Sequence, residues 1–173
     1  MASIIRVDDL QDSGGNSYLS SDGSGTFTTS NLKLDNTPMW FVRKTSDQSL
    51  PDNSYTKITW NSEVIDTDSA FASDRFTVPS GKAGKYYIST GVGFFDNDTQ
   101  QYHYVLIYKN GSNVSANPTG ITTTSNDTNR YWQTNNMIVD LAVGDYVEVY
   151  ASIKCTSGTS TSNYSYFTGY KLA

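Results

Sequence analysis

Tyr102-His103-Tyr104-Val105-Leu106-Ile107-Tyr108-Lys109-Asn110-Gly111 decides the fold. Successive side chains of a strand point to opposite sides. Tyr102, Tyr104, Leu106 and Tyr108 therefore share one face, and His103, Val105 and Ile107 the other. Aromatic and β-branched residues of this kind pack well on a pleated surface. Asn110-Gly111 then supplies the two positive φ values of a type I′ hairpin turn. The stretch reads as a strand entering a tight turn, apolar on both sides. A sheet wetted on one side alternates apolar with polar residues, so the second face here needs cover from a facing sheet or another subunit.

The same reading extends along the chain. Strands are predicted near residues 39–44, 54–60, 74–78, 85–95, 101–109, 128–141, 145–155 and 163–172, at the spacing of an all-β sandwich or barrel. Ser80-Gly81 and Gly144-Asp145 mark two further corners. Strand 128–141 again has two apolar sides, Tyr131, Met137 and Val139 against Trp132 and Ile138. The expected cover is another copy of the chain, because a closed symmetric oligomer buries such faces in a finite particle. Little helix is expected: with 13 Tyr, 7 Phe and many Ser, Thr, Asn and Gly, no window keeps an amphipathic stripe over three turns.

Residues 1–37 differ from the head domain at 38–173. Gly14, Gly15, Gly23 and Gly25 sit among Ser, Asp, Thr and Asn. Such a segment buries too little apolar area to offset its ordering entropy. It reads as an extended Gly/Ser-rich arm that anchors on a partner chain, with Ile4, Ile5, Val7 and Leu10 as its apolar contacts.

Charge and length exclude several classes. The formal charge is −5 and the pI about 4.6, so a phosphate backbone is repelled and nucleic acid is not an expected partner. No run approaches the roughly 20 apolar residues of a membrane helix, so membrane insertion is not expected. The start, with Arg6, Asp8 and Asp9 after Ile4-Ile5, lacks the apolar core of a secretory signal. The protein is expected to be made in the cytoplasm. Cys155 is the single cysteine; it closes no internal disulfide and reads as an inert thiol in a strand.

Catalysis is not expected either. His103 is the single histidine and stands mid-strand between two tyrosines, and no Gly-x-Ser-x-Gly elbow, phosphate loop or dinucleotide fingerprint occurs. Asp96-Asn97-Asp98 and Asp66-Thr67-Asp68 offer closely spaced oxygen ligands of the kind calcium prefers. Asp96 and Asp98 are the calcium candidates, without full loop spacing or a downstream bidentate Glu; solvated turns are the default, and no cofactor is expected. Asn129, Tyr131 and Trp132 could form a sugar-stacking site, against the alternative that these rings fill an oligomer core.

Taken in order, the segments resemble the globular head of complement component one q, within the tumour-necrosis-factor-like jelly-roll superfamily. The resemblance runs from about Tyr55 to Leu172. It is carried by Tyr55-Thr56-Lys57-Ile58-Thr59-Trp60-Asn61, Phe76-Thr77-Val78-Pro79 with Gly84-Lys85-Tyr86-Tyr87-Ile88-Ser89, and Leu106 to Gly111. Asp140-Leu141 with Gly144-Asp145-Tyr146-Val147-Glu148-Val149, and Ser165-Tyr166-Phe167-Thr168-Gly169-Tyr170-Lys171-Leu172, complete it. It implies a two-sheet jelly-roll sandwich and a tight homotrimer about an aromatic-rich axis, working by binding and not by chemistry. Tyr87, Tyr104, Tyr131, Trp132, Phe167 and Tyr170 are the expected trimer or core packing residues, and Phe76, Tyr87, Phe167 and Gly169 read as core positions.

The leader, Ala2 to Asp12 with Gly14-Gly15-Asn16 and Ser21 to Gly25, resembles that of structural proteins from tailed phages of marine bacteria. No Gly-X-Y stalk is present. The two resemblances together imply a virion protein on the particle surface: a capsid decoration or short head fibre docked on other virion proteins by its arm. The alternative is a tail-fibre or adhesin-type module recognising a host surface polysaccharide. A free-standing complement-like ligand is the third reading.

Overall fold

The structure is a computed structural model and describes residues 9–21, 24, 27–28, 38–95, 100–115, 119–121, 130–155 and 159–172. The chain divides into two compact units, Met1–Asn36 and Thr37–Ala173. In the first, β1 (Asp9–Gln11), β2 (Ser17–Ser21) and β3 (Phe27–Thr28) form a three-stranded antiparallel sheet in that order. The sequence predicted an arm without strands here. Asp12 accounts for the difference. Its Oδ1 accepts the backbone N–H groups of Gly14 at 2.8 Å and Asn16 at 2.9 Å, and Gly15 takes φ +82°. This local side-chain turn brings β1 and β2 together.

The second unit is all β. Its strands are β4 (Met39–Lys44), β5 (Gln48–Pro51), β6 (Thr56–Lys57), β7 (Ser62–Asp66), β8 (Phe71–Ala72), β9 (Arg75–Thr77) and β10 (Gly84–Phe95). After these come β11 (Gln100–Lys109), β12 (Ser112–Asn113), β13 (Thr119–Ile121), β14 (Arg130–Leu141), β15 (Tyr146–Cys155) and β16 (Thr159–Lys171). One sheet has six strands in the order β14-β10-β16-β4-β7, with β5 also on β16. The other has seven, in the order β12-β11-β15-β9-β8, with β13 on β11 and β6 on β15. Chain neighbours β9 and β10, β10 and β11, β14 and β15, and β15 and β16 lie in different sheets. The polypeptide thus crosses repeatedly between layers, as a jelly roll requires.

The predicted turns explain several corners. Asn110 and Gly111 have φ +51° and +77°, the mirror-image pair of a type I′ turn, and Gly81 and Gly144 take φ +75° and +82°. Ser73-Asp74 makes a second turn with two positive φ values, +53° and +58°, between β8 and β9. Neither residue announces this in the sequence.

The core lies between the two sheets. Trp40, Val42, Tyr86, Ile88, Val92, Phe94 and Phe167 from the six-stranded sheet meet Phe76, Val105, Ile107, Val147, Val149, Ala151 and Ile153 from the other, all buried. Trp40 stacks on Phe76 at 4.0 Å between centroids and meets Phe167 edge-on at 5.4 Å. Such ring pairs contribute about 0.5–1.5 kcal/mol beyond their buried area. Asn135 ties the layers: its amide donates to the Val105 carbonyl at 2.9 Å and to Ser115 Oγ at 3.0 Å.

Candidate functional site

The outward face of the six-stranded sheet is the surface that stands out. Its registers pair Met39 with Tyr170, Tyr170 with Tyr87, and Tyr87 with Ile138. Directly opposed residues point to the same side, so these four side chains form one apolar row across β4, β16, β10 and β14. The row is open to solvent: Met39 is 38%, Tyr170 43% and Ile138 60% exposed. The Tyr87 and Tyr170 rings are 5.6 Å apart. Phe41, Thr168, Ser89 and Asn136 make the next row.

A second aromatic group lies further along β10. Phe95 meets Trp132 and Tyr164, each with ring centroids 6.0 Å away, and Trp132 and Tyr164 are 50% and 64% exposed. Glycine shapes this region. A Cβ at Gly93 would come within 2.5 Å of the Asn163 carbonyl oxygen and 3.0 Å of Trp132 Nε1. A Cβ at Gly91 would come within 2.5 Å of the Tyr166 ring, which therefore lies over the Gly91 backbone. Tyr164 sits at φ +50° in a bulge where Tyr164 and Ser165 together oppose Val92. Bulges re-aim side chains, and this one holds Tyr164 outward despite the strain of a bulky residue at positive φ.

The seven-stranded sheet manages its outward face differently. Tyr102 packs on Tyr104 at 4.8 Å, Tyr108 on Tyr150 at 4.2 Å, and the Arg75 guanidinium lies 4.3 Å over the Tyr146 ring. Leu106 is buried among them. Lys57 Nζ reaches the nearly buried Glu148 carboxylate at 2.6 Å. The outer apolar side of strand 101–109 is thus covered largely by its own rings, and the uncovered apolar face belongs to the opposite sheet.

The predicted packing residues divide accordingly. Phe167 lies in the core, as do Phe76 and Gly169. Tyr131 faces inward, its ring 5.2 Å from His103, while Phe94 stands 5.0 Å from the same imidazole. Tyr87, Trp132 and Tyr170 face outward on the six-stranded sheet, and Tyr104 outward on the other; Tyr87 is therefore not the core position expected, since its register neighbours Tyr170 and Ile138 are exposed and Tyr86 takes the inward side of β10. Tyr131 and Trp132 point to opposite sides of β14 and share no stacking platform. Asn129, Asp96, Asp98, Ile4, Ile5 and Val7 lie outside the described residues. Leu10 is exposed on β1.

Several titratable groups have settled structural roles. Burial pushes the His103 imidazole down to about 4, so the ring is neutral near pH 7. Asp66 accepts the backbone N–H groups of Ala70 at 3.0 Å and Phe71 at 2.8 Å, which commits both carboxylate oxygens to a turn. Among the described residues, no group of three or more His, Cys, Asp or Glu side chains is placed to hold a metal ion.

A groove of about 470 Å³ opens between the edge strands β7 and β8. Val42, Trp60 and Phe71 form its apolar lining, and Asn61, Ser62, Glu63, Ser73 and Asp74 its polar lining. Trp60 and Phe71 both pack against Phe167, at 5.8 and 6.0 Å, so the floor is an extension of the core. Glu63 pairs with Val42, next to a bulge that leaves Val64 without a partner; its side chain therefore falls on the inward side of an edge strand. The sequence reading missed this groove, because the placement of Glu63 depends on the bulge.

Solved structures with the same architecture were found. The chain is similar to the globular domain of zebrafish complement 1qA, with 14% identity over 79% of this chain and 98% of that one and a TM-score of 0.53. The fold is the complement-1q and TNF-type jelly roll. It is similar also to the Eiger TNF of S. frugiperda, with 12% identity over 80% and 94% of the two chains and a TM-score of 0.56. Murine APRIL gives 15% identity over 79% and 99% and a TM-score of 0.54. No protein-family model and no curated protein sequence matches the chain. In this jelly roll the six-stranded sheet carries the exposed aromatic face and the seven-stranded sheet the self-covered one.

Proposed function

We propose that the jelly roll assembles as a homotrimer through the outward face of its six-stranded sheet, and that the trimer is a non-catalytic structural head on a bacteriophage particle. The observation that carries the assembly is the solvent-open row Met39, Tyr170, Tyr87 and Ile138 across four strands. Contiguous apolar surface of this kind marks an interaction site. Fold likeness to complement 1qA and TNF structures supports a threefold arrangement, since such heads work as trimers. The likeness of the leader to structural proteins of tailed phages supports a place on the virion, with the first unit docking on capsid or tail proteins.

Deletion of residues 1–34 tests the particle role. The truncated chain is expected to keep its folded trimeric head and to be lost from purified particles. Incorporation at the full-length level would refute docking through the first unit.

A further inference from the structure

We propose that the groove between β7 and β8 is a binding site for a neutral saccharide. It lies at the edge of the sandwich, not on the outward sheet face assigned to assembly. The volume of about 470 Å³ falls within the range of roughly 300–1,000 Å³ usual for small-molecule sites. Its floor presents the half-buried rings of Trp60 and Phe71, rigid apolar surfaces on which the C–H face of a pyranose can lie.

The polar lining has unused capacity. Among the described residues, the hydroxyls of Ser62 and Ser73, the Glu63 carboxylate and Asp74 Oδ2 make no hydrogen bond. A carboxylate accepts from two adjacent hydroxyls at once, and hydrogen bonds to an ionised group are about twice as strong as neutral ones.

The rim is also held in place before any ligand arrives. Ser73 and Asp74 both sit at positive φ, +53° and +58°. The Trp60 backbone N–H donates to Asp74 Oδ1 at 2.7 Å, and Lys57 Nζ donates to the Ser73 carbonyl at 2.9 Å. Non-glycine residues in this conformation store strain, which surrounding bonds must over-determine and which clusters at binding sites. A fixed rim lowers the ordering cost of binding.

Charge selects among ligands. The carboxylates of Glu63 and Asp74 stand at the mouth, where the Lys57 ammonium is already paired with Glu148 and the buried Lys44 interacts with both Asp74 and Asp47. Carboxylates outnumber ammonium groups there, so a polyanion is repelled. A neutral ligand rich in hydroxyls matches both floor and rim.

The full-length protein, with its solution mass measured in the same sample, would be titrated with neutral tetrasaccharides of glucose, galactose and mannose. Tetralysine and a sulfated dextran oligomer serve as charged probes, with tryptophan fluorescence and calorimetry as readouts. At least one neutral saccharide is expected to bind. Phe71→Leu and Asp74→Asn should each weaken it by about tenfold or more, and Asp74→Asn retains the acceptor for the Trp60 N–H. Both variants should keep the wild-type mass and remain folded at the titration temperature, as circular dichroism would show, and Ile138→Asp on the outward face should leave the affinity unchanged. Binding of only a charged probe, no binding of any neutral tetrasaccharide, or binding indifferent to both groove variants would overturn the assignment.

Discussion

The Trp40 indole occupies the space that Gly169 leaves open. A Cβ at position 169 would collide with the indole and come within 2.8 Å of the Tyr87 carbonyl oxygen. Trp40 in turn is stacked on Phe76 and edged by Phe167, so it cannot withdraw without opening the centre of the core. Gly169→Ala is therefore expected to destabilise the domain by about 1–3 kcal/mol, the usual cost of overpacking. Urea unfolding monitored by tryptophan fluorescence reads the loss directly; an unchanged midpoint would mean that the indole has room to shift.

His103 gives the domain an acid sensitivity of defined sign. Its folded pKa is depressed, from 6.5 to about 4, by burial between Phe94 and Tyr131. Below pH 6.5 the unfolded chain takes up a proton that the folded chain refuses until about pH 4. Stability is thus expected to fall across that window by up to about 1.4 kcal/mol per pH unit. Asp145 acts lower. Hydrogen bonds, first from Lys109 and then from Asn110 and the Ala142 N–H, hold its carboxyl down at about 2 against a usual 3.8, so its contribution is present above pH 3.8 and lost as pH falls towards 2. Denaturant midpoints between pH 7 and 4 test the histidine window: His103→Phe should flatten the slope, and an equal slope in both proteins would contradict the assignment.

Lys57 and Glu148 form a pair whose carboxylate is nearly buried. Removing only the lysine strands that charge, so Lys57→Ala is expected to cost about 3 kcal/mol. Adding Glu148→Gln should recover part of the loss. A double-mutant cycle by chemical denaturation measures the coupling, and independence of the two changes would show that the pair contributes nothing.

Ile138→Asp and Met39→Ser act on the outward row alone, since both side chains are exposed within the chain itself. Each is expected to leave the unfolding midpoint of the isolated domain within about 0.5 kcal/mol of wild type while dissociating the assembly. Sedimentation velocity together with circular dichroism separates these effects; loss of secondary structure alongside loss of mass would count against a purely intermolecular role.

Much of the architecture was legible because local chemistry and global fold agree. Tyr102 to Tyr108 has the aromatic and β-branched composition of a strand covered on both sides, and Asn110-Gly111 has the dihedral freedom its turn needs. Strand β7 was not legible. Its Ser62-Glu63-Val64-Ile65-Asp66 carries a bulge that puts Val64 out of register and turns Glu63 inward, which destroys the alternation a reader looks for. The Ser73-Asp74 turn escaped for a similar reason, since tertiary hydrogen bonds hold dihedrals that Asn-Gly would adopt freely. In the first unit, one aspartate organises a turn that apolar patterning cannot reveal. As for the outward face, the side of strand 128–141 that carries Trp132 and Ile138 is legible from alternation, whereas the place of Met39 beside Tyr170 depends on cross-strand register.

Further copies of the chain are expected to cover the apolar row that a single copy leaves open to solvent. Multi-angle light scattering of the purified full-length protein at micromolar concentration tests this most directly. The predicted result is one monodisperse species of about three times the 19.1 kDa chain mass. A folded, monodisperse species of 19.1 kDa would contradict it.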